Sequence, residues 1–196
     1  MQQTCFSGEP ASIYQVLVNK THLVTKEYLN SITLEDAEKV SGDTCKVETR
    51  TLHAFYALRD GLAEQGIEIG LDSGWRSVEY QERLMARFTE EYGEEYARKT
   101  VAPPGTSEHH TGLAIDIVPK VNGAWVVEND EMMALTELFA RIHRVLPEYG
   151  FVLRYPKGKE TVTGYGYECW HLRYVGRETA LAVAESGLTL DEYLEK

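Results

Sequence analysis

The sequence predicts an α+β domain on three observations: helical and strand periodicities interleave, no Gly-rich phosphate loop is present, and the strands do not recur at regular βαβ spacing. Leu52, Phe55, Arg59, Leu62 and Ala63 stand near helical spacing and Gly66 closes the pattern, so residues 50–65 read as an amphipathic helix. Ile67, Ile69 and Leu71 then alternate as a strand. Ser77 is placed to cap a second helix whose Tyr80, Leu84, Phe88 and Tyr92 share one stripe, and Gly93 ends it. Pro103-Pro104-Gly105 forces an irregular loop. Leu113, Ile115 and Ile117 alternate with Gly112, Ala114 and Asp116, the period of a strand with one face in the core and a small, acidic face opposite. A third helix runs from an Asp130 cap through Met133, Leu138, Ile142 and Val145 toward Gly150, and 151–155 reads as the next strand. Thr189 with Glu192 makes a capping box for a short final helix.

Composition bounds the class. With 196 residues and 43% apolar content, the chain suits one globular domain spanning 1–196. A formal charge of −11, with no stripe of Lys and Arg to overrule it, excludes nucleic acid and anionic lipid as partners. No apolar run is long enough to span a bilayer, and Met1 to Pro10 lacks a basic segment followed by an apolar one. The expectation is a soluble protein, cytoplasmic as given or extracytoplasmic if a signal or anchor has been removed. Cys5, Cys45 and Cys169 form neither a disulfide framework nor a CxxC metal site, and a Cys5–Cys45 bridge stays open outside the cytoplasm.

Two segments hold nearly all the metal-ligand chemistry: Ser107-Glu108-His109-His110-Thr111-Gly112-Leu113-Ala114-Ile115-Asp116, and Glu168-Cys169-Trp170-His171. The spacing of His109 and Asp116 is not that of two ligands on one helix face, but a loop followed by a strand can converge them. Asp116 projects from the face opposite Leu113 and Ile115, where Gly112 and Ala114 leave space for an ion and a substrate. A buried carboxylate there needs a cation or several donors. Zinc held by His109, Asp116 and His171 supplies one and keeps a fourth position open, as a catalytic site requires. Glu168 then serves as general base toward water and general acid toward the leaving amine. His110 points elsewhere on an extended backbone, and Cys169 is disfavoured as a nucleophile because no activating base accompanies it.

The pattern Ser107-x-His109-x-x-Gly112-x-Ala114-x-Asp116, followed by Glu168-x-Trp170-His171, resembles the signature pair of VanY-type D-alanyl-D-alanine carboxypeptidases in the LAS metallopeptidase group. Leu17-Val18-Asn19-Lys20, Ser73-Gly74-Trp75-Arg76-Ser77 with Gln81, and Leu153-Arg154-Tyr155-Pro156 extend the resemblance over about residues 15–176. It implies the hedgehog/DD-peptidase fold, a small antiparallel sheet flanked by helices, and one zinc per chain held by His109, Asp116 and His171. It implies Glu168 as base and acid, and Arg76 directed at the scissile carbonyl to stabilise the oxyanion. Gln81 and Ser107 match positions that hold the substrate's terminal carboxylate, Tyr155 lines the same pocket, and Trp170 shapes the wall beside His171.

The implied substrate is a bacterial peptidoglycan stem peptide or its precursor, cut at a C-terminal D-Ala-D-Ala. Close relatives using the same catalytic group act as LD-carboxypeptidases on tetrapeptide stems or as dual D,D-dipeptidase/carboxypeptidases. A non-catalytic zinc-containing peptidoglycan-binding module is the alternative from another class, and the joint presence of Glu168 and Arg76 counts against it.

Overall fold

The computed structural model describes residues 13–196. Its short first helix α1 (Lys26–Ser31) is capped by Thr25, whose side chain accepts from the Tyr28 amide. A hairpin follows, β1 (Leu34–Glu38) with β2 (Thr44–Glu48), which the sequence patterns did not reveal. The expected first helix is α2 (Thr49–Ala63), begun by Glu48, whose carboxylate accepts from the Thr51 amide and hydroxyl. Its Leu52, Phe55, Leu58 and Leu62 are buried, the stripe the periodicity calls for.

Strand β3 (Ile69–Ser73), the long helix α3 (Val78–Tyr92), α4 (Glu94–Thr100), β4 (Ala114–Val121) and the two-residue β5 (Ala124–Trp125) come next. Asn122 and Gly123, both at positive φ, make the tight turn between β4 and β5. The expected third helix is two, α5 (Asn129–Ala134) and α6 (Thr136–Val145), with Leu135 in a non-helical conformation between them. Glu128 rather than Asp130 stands at the N-cap, and it makes no side-chain capping bond. Strand β6 (Phe151–Tyr155), helix α7 (Glu160–Thr163), strand β7 (Glu168–Tyr174), and helices α8 (Arg177–Ser186) and α9 (Leu190–Leu194) complete the described chain. The Thr189–Glu192 capping box on α9 is formed in both directions.

The main sheet is antiparallel, in the order β3-β4-β7-β6 with β5 on β4. One face is covered by α2 and α6: Phe55, Leu58, Phe139 and Ile142 pack with Ile69, Ile115, Ile117 and Leu172. A smaller cluster joins Val152 and Val175 to Ala180, Val183 and Leu190 of α8 and α9. Helix α3 is capped by Ser77 and ended by Gly93 as expected, and its stripe does not face the core. Gln81 is its one buried residue, whereas Tyr80, Leu84 and Phe88 line a cleft over the other face of the sheet. Among the described residues no helix is long and apolar enough to cross a membrane. Cys45 and Cys169 are free thiols there, and Cys5 lies outside the described residues.

Candidate active site

Four neighbouring strands contribute one row of side chains to that open face. Asp116 of β4 stands opposite His171 of β7 on one side and Ser73 of β3 on the other, and Tyr155 of β6 stands opposite Glu168 of β7. Two irregularities create the row. Between Leu71 and Ser73, β3 advances two residues while β4 advances one, from Ile117 to Asp116. Between Leu153 and Tyr155, β6 advances two residues while β7 advances four, from Leu172 to Glu168. In a regular strand, residues i and i+3 face opposite sides. The extra residues in β7 remove that separation, and Glu168 Oε2 lies 3.7 Å from His171 Nδ1.

His109 arrives from a 3-10 turn (Glu108–Thr111), not from the extended backbone the sequence suggested. Gly112 closes this turn at φ +71°, and a Cβ there would meet Leu34 Cδ2 at 2.9 Å and the Glu48 amide nitrogen at 3.3 Å. Its small size therefore serves the turn and the contact with the β1–β2 hairpin rather than space for an ion. Ala114, read with it as a space-maker, is fully buried opposite Arg173 and does not border the cleft. His110 is tied into the scaffold. Its Nδ1 lies 2.7 Å from the Arg76 carbonyl, and its Nε2 accepts from the Gly105 amide.

One ligand atom from each of His109, Asp116 and His171 lies within 4.8 Å of the others. His109 Nε2 is 3.2 Å from Asp116 Oδ2, and His171 Nδ1 is 3.0 Å from Asp116 Oδ1. The protonation pattern makes these contacts informative. His109 Nδ1 lies 2.7 Å from the Gly74 carbonyl, which can only accept, so that nitrogen carries the ring proton. Burial, with Arg76 adding, lowers the His109 pKa to about 4. A bare Nε2 lone pair then faces a carboxylate oxygen, and Asp116 Oδ1 has no hydrogen-bond donor of its own. Acceptor against acceptor is repulsive unless a cation lies between them. The separations also suit a tetrahedral zinc site, where bonds of about 2.0–2.1 Å set ligand atoms roughly 3.3 Å apart. These residues fit a divalent cation.

The surrounding field has the matching sign. Burial works against a charged His171, yet the Asp116 and Glu108 carboxylates, with Glu168, carry its pKa up to about 9. Burial also opposes ionisation of Asp116, but His109 and His171 hold its carboxyl well below the usual range. Glu168 is different. Burial pushes it up to about 7, and the nearby Asp116 and Glu108 carboxylates reinforce this against His171 and Arg76.

The cleft has a volume of about 400 Å³. All nine residues singled out in the sequence border it: the three candidate ligands, Glu168, Arg76, Gln81, Ser107, Tyr155 and Trp170. Arg76 is held at the rim, its Nη2 donating to Asp116 Oδ2 at 3.2 Å and its Nε and Nη2 to Ser73 Oγ at 3.3 and 3.0 Å. Gln81 Nε2 donates to the Ala102 carbonyl at 2.9 Å, while its buried Oε1 has no partner. The Tyr155 ring packs 4.8 Å from that of His171. Cys169 faces the core and burial raises its thiol to about 12, which removes it as a nucleophile.

Sequence reading missed two contributors. Tyr165, from the segment between β6 and β7, borders the cleft and packs 5.0 Å from Tyr155, under the ammonium of Lys20. Behind His171 lies a buried ionic network. Glu108 Oε1 accepts from Arg154 Nε at 2.7 Å and Arg173 Nη1 at 2.8 Å, and Arg154 also grips Asp191 of α9 with two bonds. Both arginines sit inside strands and are fully buried. Charge inside an apolar strand pattern is the signal that could have found them, because a buried guanidinium requires acidic partners.

The chain matches the family model described as VanY, D-alanyl-D-alanine carboxypeptidase, over residues 44–177. The Bacillus subtilis (strain 168) protein YodJ is 37% identical over 186 residues, 92% of this chain, and the chain spans 66% of that protein's length. Among solved structures, the LdcB LD-carboxypeptidase superposes with a TM-score of 0.80 at 36% identity, covering 92% of this chain and 85% of that one. A vancomycin-resistance D,D-pentapeptidase VanY variant in complex with Zn(II) superposes with a TM-score of 0.74 at 29% identity, covering 93% and 99%.

Proposed function

Because the chain belongs to the VanY D-alanyl-D-alanine carboxypeptidase family, we propose that it is a zinc-dependent carboxypeptidase that removes the C-terminal D-amino acid from bacterial cell-wall stem peptides. One observation carries this reading: the lone pairs of His109 and Asp116 converge with His171 beside the Glu168 carboxyl, 3.7 Å from His171 Nδ1. His109 Nε2, Asp116 and His171 Nδ1 would hold the zinc. Bound there, the ion supplies Lewis acidity toward water and the scissile carbonyl.

The chain's own residues divide the remaining work. Ser107 and Gln81 anchor the substrate's terminal carboxylate, which restricts cleavage to the last peptide bond. Glu168 takes a proton from the attacking water and returns it to the departing amine, and a value near 7 suits both transfers. Arg76 borders the cleft, where it would stabilise the negative charge that develops on the carbonyl oxygen. Tyr155, Tyr165 and Trp170 wall the pocket.

The D,D bond of a pentapeptide stem is the primary substrate in this reading. Cleavage of the L,D bond of a tetrapeptide stem is a second reading, favoured by the higher structural similarity to the LD-carboxypeptidase. Incubation of the zinc-loaded protein with pentapeptide, tetrapeptide and D-Ala-D-Ala, followed by mass spectrometry, separates them. Loss of one D-alanine from the pentapeptide alone supports the first reading, loss from the tetrapeptide supports the second, and intact peptides throughout overturn both.

A further inference from the structure

The Glu108 carboxylate presents two oxygens to different neighbours. Oε1 is fixed by the two guanidiniums, whereas Oε2 is buried and makes no hydrogen bond. Facing it at 3.5 Å is His171 Nε2, which is also buried and also without a hydrogen bond. The opposite ring nitrogen, Nδ1, is the one directed at Asp116. Two orphaned atoms of complementary kind face each other on the side of the imidazole away from the candidate metal position. Leaving both unpaired in a buried site is costly, and one Nε2–H donated to Oε2 removes both penalties.

We propose that Glu108 is a positioning residue for the metal centre: by accepting the Nε2 proton of His171 it fixes the tautomer and ring orientation that present Nδ1 to the ion. The inference rests on the zinc reading above and extends it to a chain of residues that touches neither zinc nor substrate. Arg154 and Arg173 hold the Glu108 carboxylate. Asp191, on α9, holds Arg154 through both of its terminal nitrogens, and Asn19 Nδ2 donates to Asp191 Oδ1 at 2.9 Å. Arg173 Nη2 in turn donates to the carbonyls of Tyr14 and Val16. Segments from both ends of the described chain therefore brace one imidazole. Tyr155 adds a tilted ring contact, since Arg154 lies 4.9 Å over its ring and that ring packs against His171 at 45°.

The test has two arms. In the zinc-loaded wild-type protein, nitrogen-15 NMR of the histidine rings is expected to show His171 with a metal-bound Nδ1 and a protonated Nε2. A metal-bound Nε2 overturns the proposal, and this arm requires no variant to fold. In the second arm, apparent zinc affinity is measured by competition with a chelator for wild type, E108Q and D191N. E108Q is expected to weaken zinc binding about tenfold to a hundredfold, the usual effect of losing a ligand's outer partner. D191N, separated from His171 by Arg154 and Glu108, is expected to weaken it by a smaller factor. Zinc affinity equal to wild type in a folded E108Q protein contradicts the proposal while leaving the zinc reading intact. No zinc binding by the wild type removes the reading itself.

Discussion

Glu168 and Arg76 differ from the other polar groups of the cleft in what they lose on substitution. E168Q keeps the shape but cannot accept a proton, so turnover of a stem peptide is expected to vanish while elemental analysis still finds the metal bound. A variant with wild-type kcat excludes Glu168 as base. Removing a donor to a developing oxyanion costs roughly 10²–10³ in rate. R76A should lose about that much in kcat, with a small change in Tm. Unfolding without a kinetic defect would instead assign the arginine to its bonds with Ser73 and Asp116. The pH profile follows from Glu168. The base must be ionised, so the rate rises with pH through its value, which burial sets near 7 in the protein alone. A divalent cation beside it lowers that value. The acid limb of kcat/KM should therefore fall at or below about pH 7, and a rate that climbs as pH drops below 6 contradicts the assignment. At this scale the sequence was informative, because ligand-type residues, Asp116 above all, stood in a strand pattern where an uncompensated charge has no place. Glu108 escaped notice because it sits between Ser107 and His109 with nothing local to mark it; its partners Arg154 and Arg173 are 46 and 65 residues away.

At the level of elements, α2, the central strand β4 and the capped α9 were legible, since each carries its own period or cap. The bulges in β3 and β7 were not. They depend on which residues pair across strands, and without them Glu168 and His171 would lie on opposite faces. The α3 stripe was legible as a stripe, but not the surface it meets. Periodicity reports an amphipathic helix but not what covers it, and here Tyr80, Leu84 and Phe88 wall the cleft. Leu135 splits the third helix for reasons its sequence does not state. Gly112 offers an element-scale test. An alanine there pays for a left-handed backbone and for displacement of Leu34 and the Glu48 amide. G112A is expected to lower stability by about 1–3 kcal/mol and to weaken zinc binding, because the 3-10 turn that delivers His109 must move. Chemical unfolding and chelator competition check this, and an unperturbed metal affinity would mean that the turn tolerates the change.

Across the whole molecule, the sheet divides the labour: apolar residues of α2 and α6 fill one face, and the other carries charged groups that are tolerated because they are paired. Glu108 makes this division sensitive to pH. Burial disfavours its charge, but Arg154 and Arg173 prevail and hold its carboxyl far below the ordinary glutamate range. A depressed folded value means that the stabilisation is complete above the unfolded-state value and is lost as pH falls toward the folded one. Breaking such a buried pair from one side costs about 3–5 kcal/mol. The stability gap between wild type and E108Q, measured in denaturant near neutral pH, should therefore narrow as pH is lowered below about 4.5. A gap independent of pH would assign the loss to packing rather than charge. The overall fold and the family were legible because the signature residues are few and chemically constrained. The route by which both ends of the chain reach His171 was not, because it runs through contacts between Asn19, Arg154 and Asp191 that no local pattern encodes.

The most direct measurement compares D-alanine release from a pentapeptide stem by three samples: chelator-stripped protein, the same protein after one equivalent of zinc, and zinc-loaded E168Q. The account predicts release by the second sample only, with about one zinc retained per chain in the second and third. Undiminished release by the stripped protein, or by E168Q, would contradict it.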